Sequence, residues 1–260
     1  MIAAAARIGL VALTLVPASA GASVLRPPVA LTASPPHVAL GGSGRTTVRV
    51  TNAGTSQVVV DVTRAGFDLD LRGRPRIVGR DAVARSAADW LVFRPRSSVL
   101  KPGGSAAVAI TSTLPSRAEP GDHDALLLFT TRRRVRDGVA VRMRMGVVVV
   151  VRAPGRVVRR LELRGLRMAP RGRQRVLELG IANRGNVTES LSRARSTLSV
   201  FRDGRRIAKL HAESRELRPR TGGVLQFVYR RPARGTVTAR VDIAPESSSR
   251  VLRRTYRLRL

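Results

Sequence analysis

The chain has no cysteine, only three histidines, and 3% aromatic residues. The lack of cysteine excludes disulfide scaffolds, thiolate zinc sites and cysteine nucleophiles. Three histidines make a multi-histidine metal centre unexpected, and the few aromatic rings argue against a stacking platform for single-stranded nucleic acid. We therefore expect no cofactor and no metal site.

Acidic residues are also scarce. There are 48 lysines and arginines against 17 aspartates and glutamates, which gives a net charge of +31 over 260 residues. Only Lys101 and Lys209 are lysines, so the remaining 46 basic residues are arginines. The apolar content of 43% is too high for a disordered basic tail, and the length allows one or two folded domains.

The N-terminus, residues 1–20, has the pattern of a secretory signal peptide. Arg7 supplies a short positive region, residues 8–16 are an apolar run too short to span a bilayer, and residues 18–20 fit a signal-peptidase site. An uncleaved anchor is the alternative. No other segment has about 18 consecutive apolar residues. We predict an exported protein, secreted or at the cell surface, with no transmembrane helix in the mature chain.

Beyond residue 24, polar and apolar residues alternate between closely spaced turn signals, which is typical of antiparallel β-sandwiches. Residues 147–151 are a continuous run of valines, as expected for a strand buried on both faces. Ala-Pro-Gly at residues 153–155 interrupts the pattern. We predict an all-β protein of two tandem immunoglobulin-like sandwiches, a first unit of residues 24–153 and a second unit of residues 156–260.

Two local signals refine this prediction. Asp203 and Gly204 lie between two strand patterns and predict a hairpin with a type I′ turn, because both residue types tolerate positive φ. No segment has a convincing helical stripe, and residues 80–90 have room for one short turn.

The two units share turn residues in the same order, as an Asn-x-Gly step, a Leu-x-Pro step and a later glycine. The matching positions are Asn52, Gly54, Pro102 and Gly121 in the first unit, and Asn183, Gly185, Pro219 and Gly235 in the second. We interpret each Asn-x-Gly as a positive-φ turn between neighbouring strands, and the units as diverged copies. A chance match of turn residues is the alternative.

Several of these motifs occur in the order found in one known group. The stretch Leu-Thr-Ala-Ser-Pro-Pro-His at residues 31–37 leads into a strand ending at Asn52, and Trp90, the Leu-Lys-Pro-Gly of residues 100–103 and Gly121 follow. This framework resembles the PapD-like group of immunoglobulin-type domains. Within that group it is most similar to the peptidoglycan-binding domain of WxL-interacting proteins, cell-surface components of Gram-positive bacteria, and the second unit is similar to the domain that follows there.

The resemblance implies a non-catalytic exported cell-surface protein that contacts anionic cell-wall polymer or peptidoglycan and a surface-protein partner. Two positions depart from that family. The chain ends in a strand pattern at residues 253–260 rather than in a transmembrane helix, so membrane anchoring is not implied. His123 stands where an aromatic residue is common, so the corner hydrogen bond of a tyrosine is replaced or absent.

The same fold also serves assembly chaperones for pilus subunits, which pair a strand with their client. Residues 142–152 resemble the last strand of the first domain in those chaperones. That strand contains no lysine to hold a client's terminal carboxylate. The alternative function is therefore a periplasmic-type assembly chaperone that acts by β-strand pairing.

Asp122, His123 and Asp124 could suggest an acid–base or metal cluster. In a strand the two aspartates share one face and His123 faces away, which favours a role in a turn or corner. No Gly-x-Ser-x-Gly, His-Glu-x-x-His or phosphate loop is present. We predict no catalytic residues, keep a hydrolase as the weakest alternative, and expect Trp90 to lie in the core.

Arginine clusters are the sharpest feature. The candidates for contact with an anionic ligand are Arg132, Arg133, Arg134, Arg142, Arg144, Arg171, Arg173, Arg175, Arg205 and Arg206. Such clusters often form only a solvent-exposed sheet face, but the acidic residues are too few to neutralise them. Outside the cell, wall polymers and anionic lipid headgroups are available, and no element that reads DNA is present, so we expect no specific nucleic-acid binding. The net charge is +11 in residues 21–153 and +19 in residues 154–260.

Overall fold

The computed structural model describes residues 27–79, 85–132, 134–136, 139–171, 174–230 and 235–259. The predicted signal peptide lies outside these residues. Among them, strands dominate, and a 3-10 turn at Ala88–Trp90 occupies part of the segment where one short turn was expected. No helix in the described part of the chain is long and apolar enough to span a membrane.

The strands of the first unit are β1 Leu31–Ser34, β2 His37–Gly41, β3 Arg45–Asn52, β4 Val58–Leu69, β5 Pro75–Val78, β6 Leu91–Arg94, β7 Ser97–Leu100, β8 Ser105–Ser112, β9 Gly121–Thr131, β10 Arg134–Arg136, β11 Val139–Val141 and β12 Arg144–Ala153. Those of the second unit are β13 Leu161–Arg171, β14 Gln174–Asn183, β15 Glu189–Leu191, β16 Ser196–Arg202, β17 Arg205–His211, β18 Arg215–Leu217, β19 Gly222–Tyr229, β20 Thr236–Ile243 and β21 Leu252–Arg259.

The first unit is a sandwich of two sheets. One has the order β1-β3-β8-β6, and the other has the order β2-β12-β9-β4-β5, with β7 also pairing β4. Alternation along β3 and β8 buries Val48 and Ile110 toward the facing sheet, where Leu127 and Phe129 of β9 meet them in one core. The β9–β12 connection carries the small β10–β11 ribbon.

The valine run at residues 147–151 is buried on both faces, as predicted. Val147, Val149 and Val151 are fully buried in the main core. Val148 points to the other side and packs against a small cluster formed by Phe67 with Leu126 and Leu128. Because both faces are covered, an alternating polar pattern is absent here.

The second unit has its own core between a sheet β13-β14-β19, a four-stranded sheet β17-β16-β20-β21 and the short pair β15-β18. Leu177 and Phe227 meet Val200 and Val241 in this core. The all-β fold of two sandwiches is as predicted. The exact domain boundaries stay a prediction.

The predicted Asp203-Gly204 hairpin is present between β16 and β17. Asp203 has φ 47° and Gly204 has φ 76°, and Arg202 pairs with Arg205 across the turn. Two consecutive positive φ angles are the mark of a type I′ turn.

The Asn-x-Gly steps match between the two units atom by atom. Asn52 Nδ2 donates to the carbonyls of Ser56 and Leu100, and its Oδ1 accepts from Gly54 N at 3.0 Å. Asn183 makes the equivalent bonds to Val187 and Leu217, and accepts from Gly185 N at 2.9 Å. Both asparagines are fully buried. These equivalent networks support the interpretation of the units as diverged copies.

The reason given for the glycines of these steps was wrong. Gly54 and Gly185 are not among the described residues with positive φ. A Cβ on Gly54 would instead meet Pro28 O at 2.6 Å, and one on Gly185 would meet Val158 O at 2.2 Å. Close approach of a neighbouring backbone, rather than a left-handed turn, requires glycine there.

Candidate functional site

One edge of β12 is left uncovered among the described residues. On one side, β9 pairs with β12 along the whole of Arg144–Ala153. On the other side, β2 pairs only with residues 148–152. The N-terminal half of β12 therefore has a partner on one side only, within the part of the chain that the structure describes.

The direction of the backbone groups on this edge follows from the bonds to the β2 side. Val148 N donates to Pro36 O at 3.1 Å, and Arg152 O accepts from Gly42 N at 2.8 Å. Backbone groups alternate along a strand, so the even-numbered residues of β12 face β2. By the same alternation, the N–H and C=O groups of Arg144 and Gly146 face the uncovered edge.

The side chains near this edge alternate between apolar and cationic. Met143 and Met145 are half-buried against the first core, and Val141 is 44% exposed. Arg142 and Arg144 are exposed, and Arg144 projects from the opposite face of β12. The edge thus offers backbone hydrogen bonds together with an apolar row, the two features that bind an extended peptide by strand addition.

The two units contact each other through β9. Asp122 accepts from Arg152 Nε at 2.6 Å within the first unit and from Thr188 N at 2.7 Å in the second unit. Asp122 N also donates to Asn186 O at 2.8 Å. A Cβ on Gly121, which has φ 105°, would lie 2.0 Å from that same oxygen. Gly121 is therefore required by the contact between the units as well as by its backbone conformation.

Asp124 makes the most buried ion pair at this junction. Its carboxylate accepts from Arg218 Nε, and the two side chains are 2% and 6% exposed. Arg218 also donates to the carbonyl of Phe67, and its guanidinium lies 4.4 Å from the centre of the Phe67 ring. Burial raises the pKa of Asp124, and the charge of Arg218 opposes that rise.

A second bridge joins the β4–β5 turn to the second unit. Arg215 Nη1 donates to Leu71 O at 2.7 Å and to Val224 O at 2.7 Å. Val224 N donates to Leu71 O at 2.8 Å. The two units are thus connected through several elements of each, and not through the linker alone.

His123 lies on the opposite face from the two aspartates, as predicted. Its ring contacts the ring of Trp90, with the centroids 4.3 Å apart, and Nε2 donates to Glu119 O at 2.8 Å. A histidine-to-backbone bond is therefore present where the corner bond of a tyrosine was expected to be replaced or absent. Burial, with Arg85 nearby, lowers the pKa of His123. Trp90 packs against the first core, so the expectation of a core position is correct.

The predicted arginine clusters do not converge on one place. Arg133 and Arg173 lie outside the described residues, and of Arg134 and Arg171 only the strand backbone is described. Arg132 pairs with Asp61 at 3.0 Å, so it is not an uncompensated cation as the scarcity of acids suggested.

Arg142 and Arg144 are exposed near the uncovered edge of β12, and Arg205 and Arg206 are exposed beside the β16–β17 turn. Arg175 is half-buried on β14. Anion binding by these side chains stays a prediction.

Sequence reasoning missed the arginines that bind β9. Arg85 and Arg218 are buried and Arg152 is exposed, and all three donate to the backbone or carboxylates of β9. Nothing in the sequence separates them from the other arginines. The nearest available signal for the junction was the position of Arg218 between Leu217 and Pro219, in the repeated Leu-x-Pro step.

No protein-family model and no curated protein matches the sequence. Among solved structures, one described as a chaperone–tip adhesin complex of CFA/I fimbriae biogenesis is similar, with a TM-score of 0.50 and 11% identity. It covers 87% of this chain and 98% of its own. The chain has a PapD-like, immunoglobulin-like fold.

Two further chaperones have similar structures. The class 5 fimbriae chaperone CfaA has a TM-score of 0.49 and 10% identity, with 87% of this chain and 98% of its own covered. The E. coli chaperone DraB has a TM-score of 0.45 and 14% identity, with 89% and 99% covered. At these identities the likeness extends to the fold alone. The narrower resemblance to WxL-interacting proteins is not supported by these structures.

Proposed function

We propose that the protein is a non-catalytic assembly chaperone that pairs the uncovered edge of β12 with an extended segment of a client protein. The observation that carries this proposal is the edge at Arg144 and Gly146, which among the described residues pairs with β9 on one side only and lies beside the apolar row of Val141, Met143 and Met145. A similar structure comes from work on a chaperone bound to a tip adhesin, which supports a protein client. No observation in the structure favours the wall-binding interpretation.

The edge can supply both affinity and tolerance for different clients. Arg144 and Gly146 together offer two N–H donors and two C=O acceptors, and each backbone hydrogen bond contributes about 1 kcal/mol net. Burying the apolar row against a client adds about 25 cal/mol per Å². Backbone pairing does not depend on client side chains, whereas the methionines adapt to different apolar surfaces.

Site-specific photo-crosslinking in the native cells tests this function. A photo-reactive amino acid replaces Arg144 in the full chain, and a matched variant carries it at Arg49, which is exposed on β3 in the β1-β3-β8-β6 sheet. We expect exported proteins with an incomplete β-sheet to be crosslinked at Arg144 and not at Arg49. Identical products at both positions would contradict the proposal.

A proline substitution then tests the backbone pairing itself. Arg144→Pro removes the N–H that faces the uncovered edge and leaves the bonds to β9, whereas Arg144→Ala removes the same side chain and keeps that N–H. We expect client recovery to fall about tenfold or more in Arg144→Pro, from one lost hydrogen bond and steric exclusion, and to change little in Arg144→Ala. Equal recovery from both variants would exclude strand pairing at this edge.

A further inference from the structure

The outer face of the sheet β17-β16-β20-β21 carries a group of exposed basic side chains. Residues on β16 that alternate with the core positions Leu198 and Val200 point outward, and their cross-strand neighbours point the same way. The basic residues placed on this face are Arg206, Lys209, Arg240, Arg253, Arg257 and Arg259. We call this surface the outer basic face.

A single acid opposes these six cations. Asp242 accepts from Arg253 Nε at 2.5 Å and lies 3.6 Å from Arg240 Nε. Among the described residues, no acidic partner lies within ion-pairing distance of the other four basic side chains. The face therefore keeps a net charge of +5, and all six cations are exposed.

The cations are spread over an area and not along a line. Lys209, Ser199, Arg240 and Thr255 form one cross-strand row, and Arg206 and Arg257 lie at the two ends of the next row, with Phe201 and Thr238 between them. Strands are about 4.8 Å apart and alternate residues about 6.8 Å apart, so the face measures roughly 15 Å by 20 Å.

The residues between the cations are short or flat-lying. Thr197, Ser199 and Thr238 rise little above the sheet, and the ring of Phe201 lies 5.3 Å below the guanidinium of Arg240. The long basic side chains are thus the groups that extend furthest from the sheet. They can all reach one plane of negative charge at the same time.

We infer that the outer basic face docks the protein on a bilayer surface that contains anionic lipid headgroups. A planar surface can engage all six cations, whereas a linear polyanion follows one track and a small anion touches two or three. The spacing between cations is comparable to the Debye length of about 8 Å at physiological salt, so their attraction to such a surface adds up. Each basic residue near an anionic bilayer contributes about fivefold in affinity.

The inference is independent of the proposed function. The face belongs to the second unit and shares no residue with the β12 edge, so its test requires no client. The full chain is sedimented with vesicles of phosphatidylcholine, with or without a minority of phosphatidylglycerol, at low and at high salt. We expect binding only when phosphatidylglycerol is present, and we expect salt to weaken it.

Matched variants locate the binding surface. Arg240→Gln, Arg257→Gln and Arg259→Gln are combined in one protein, and Arg45→Gln, Arg49→Gln and Arg94→Gln in another. The second set removes the same charge from exposed positions on the β1-β3-β8-β6 sheet of the first unit. We expect about a 100-fold loss of affinity in the first variant and a much smaller loss in the second.

Three results would overturn the inference. The first is no binding of the unaltered chain to phosphatidylglycerol vesicles at low salt. The second is an equal loss in both triple variants, which would mean that total charge, and not this face, decides binding. The third is displacement from vesicles by inorganic polyphosphate at an equal phosphate concentration, which would identify a linear polyanion as the preferred ligand.

Discussion

Replacing Arg218 by methionine tests whether one buried ion pair holds the two units together. The substitution leaves the Asp124 carboxylate buried without its cation, and it also removes the donor to Phe67 O. Breaking a buried pair from one side costs about 3–5 kcal/mol. In a chain of this size that corresponds to a fall in Tm of roughly 6–20 °C. The measurements are chemical and thermal unfolding of the full chain.

The loss of stability in Arg218→Met should depend on pH in a defined direction. Burial already raises the pKa of Asp124, and without Arg218 the opposing charge disappears. A carboxyl with a folded pKa above its unfolded value binds more protons when folded, so its contribution to the free energy of unfolding falls as pH rises. We expect Arg218→Met to be least destabilising near the unfolded aspartate pKa of about 4 and increasingly destabilising as pH rises above it, with a slope up to about 1.4 kcal/mol per pH unit.

Two matched proteins complete this experiment. Arg220→Met removes a neighbouring arginine whose pair with Glu119, at 3.5 Å, is exposed, so it should cost less than about 1 kcal/mol. Adding Asp124→Asn to Arg218→Met should recover part of the stability and remove the extra pH dependence. A loss in Arg218→Met that is no larger than in Arg220→Met, or that is the same at every pH, would refute the reasoning.

Three other predictions concern β9 and the internal repeat. Because burial lowers the pKa of His123, the free energy of unfolding should fall as pH drops below about 6.5, and His123→Phe should reduce that dependence in pH-resolved denaturation curves. Asn52→Ala and Asn183→Ala should each cost about 2–4 kcal/mol in urea unfolding, since each variant loses the three hydrogen bonds of a buried amide, and unequal costs would argue against equivalent roles. Gly121→Ala should separate the units, seen as faster proteolysis of the linker, because its Cβ would overlap Asn186 O; an unchanged cleavage rate would contradict that contact.

Local features were predictable where the chemistry of neighbouring residues decides the conformation. The turn at Asp203 and Gly204 depends on two residues that tolerate positive φ, and the burial of residues 147–151 follows from an uninterrupted run of valines. Gly54 was identified for the wrong reason, because the steric limit comes from Pro28, which approaches from outside the turn. A contact of that kind has no signature in the residues around the glycine.

Long-range pairing was not predictable, and the composition explains why. With 46 arginines in the chain, the sequence gives no means of telling buried Arg218 from exposed Arg220 two residues later. The partner of Arg218, Asp124, is 94 residues away. Strand periodicity predicted that Asp122 and Asp124 lie on the same face. It did not predict that residues of the second unit bind them.

The parallel pairing of β2 with β12 constrains the order in which the protein can be made. His37 pairs with Val148, so β2, an early strand of the first unit, can pair only after β12, the last strand of that unit, has been synthesised. Such a contact of high sequence separation is slow to form, and the chain must close a long loop before gaining it. During synthesis, the sheet containing β9 therefore lacks the β2–β12 pairing until residue 153 has emerged from the ribosome. A nascent chain stalled before that point would expose the same β-strand edges that lead unfinished sheets to aggregate.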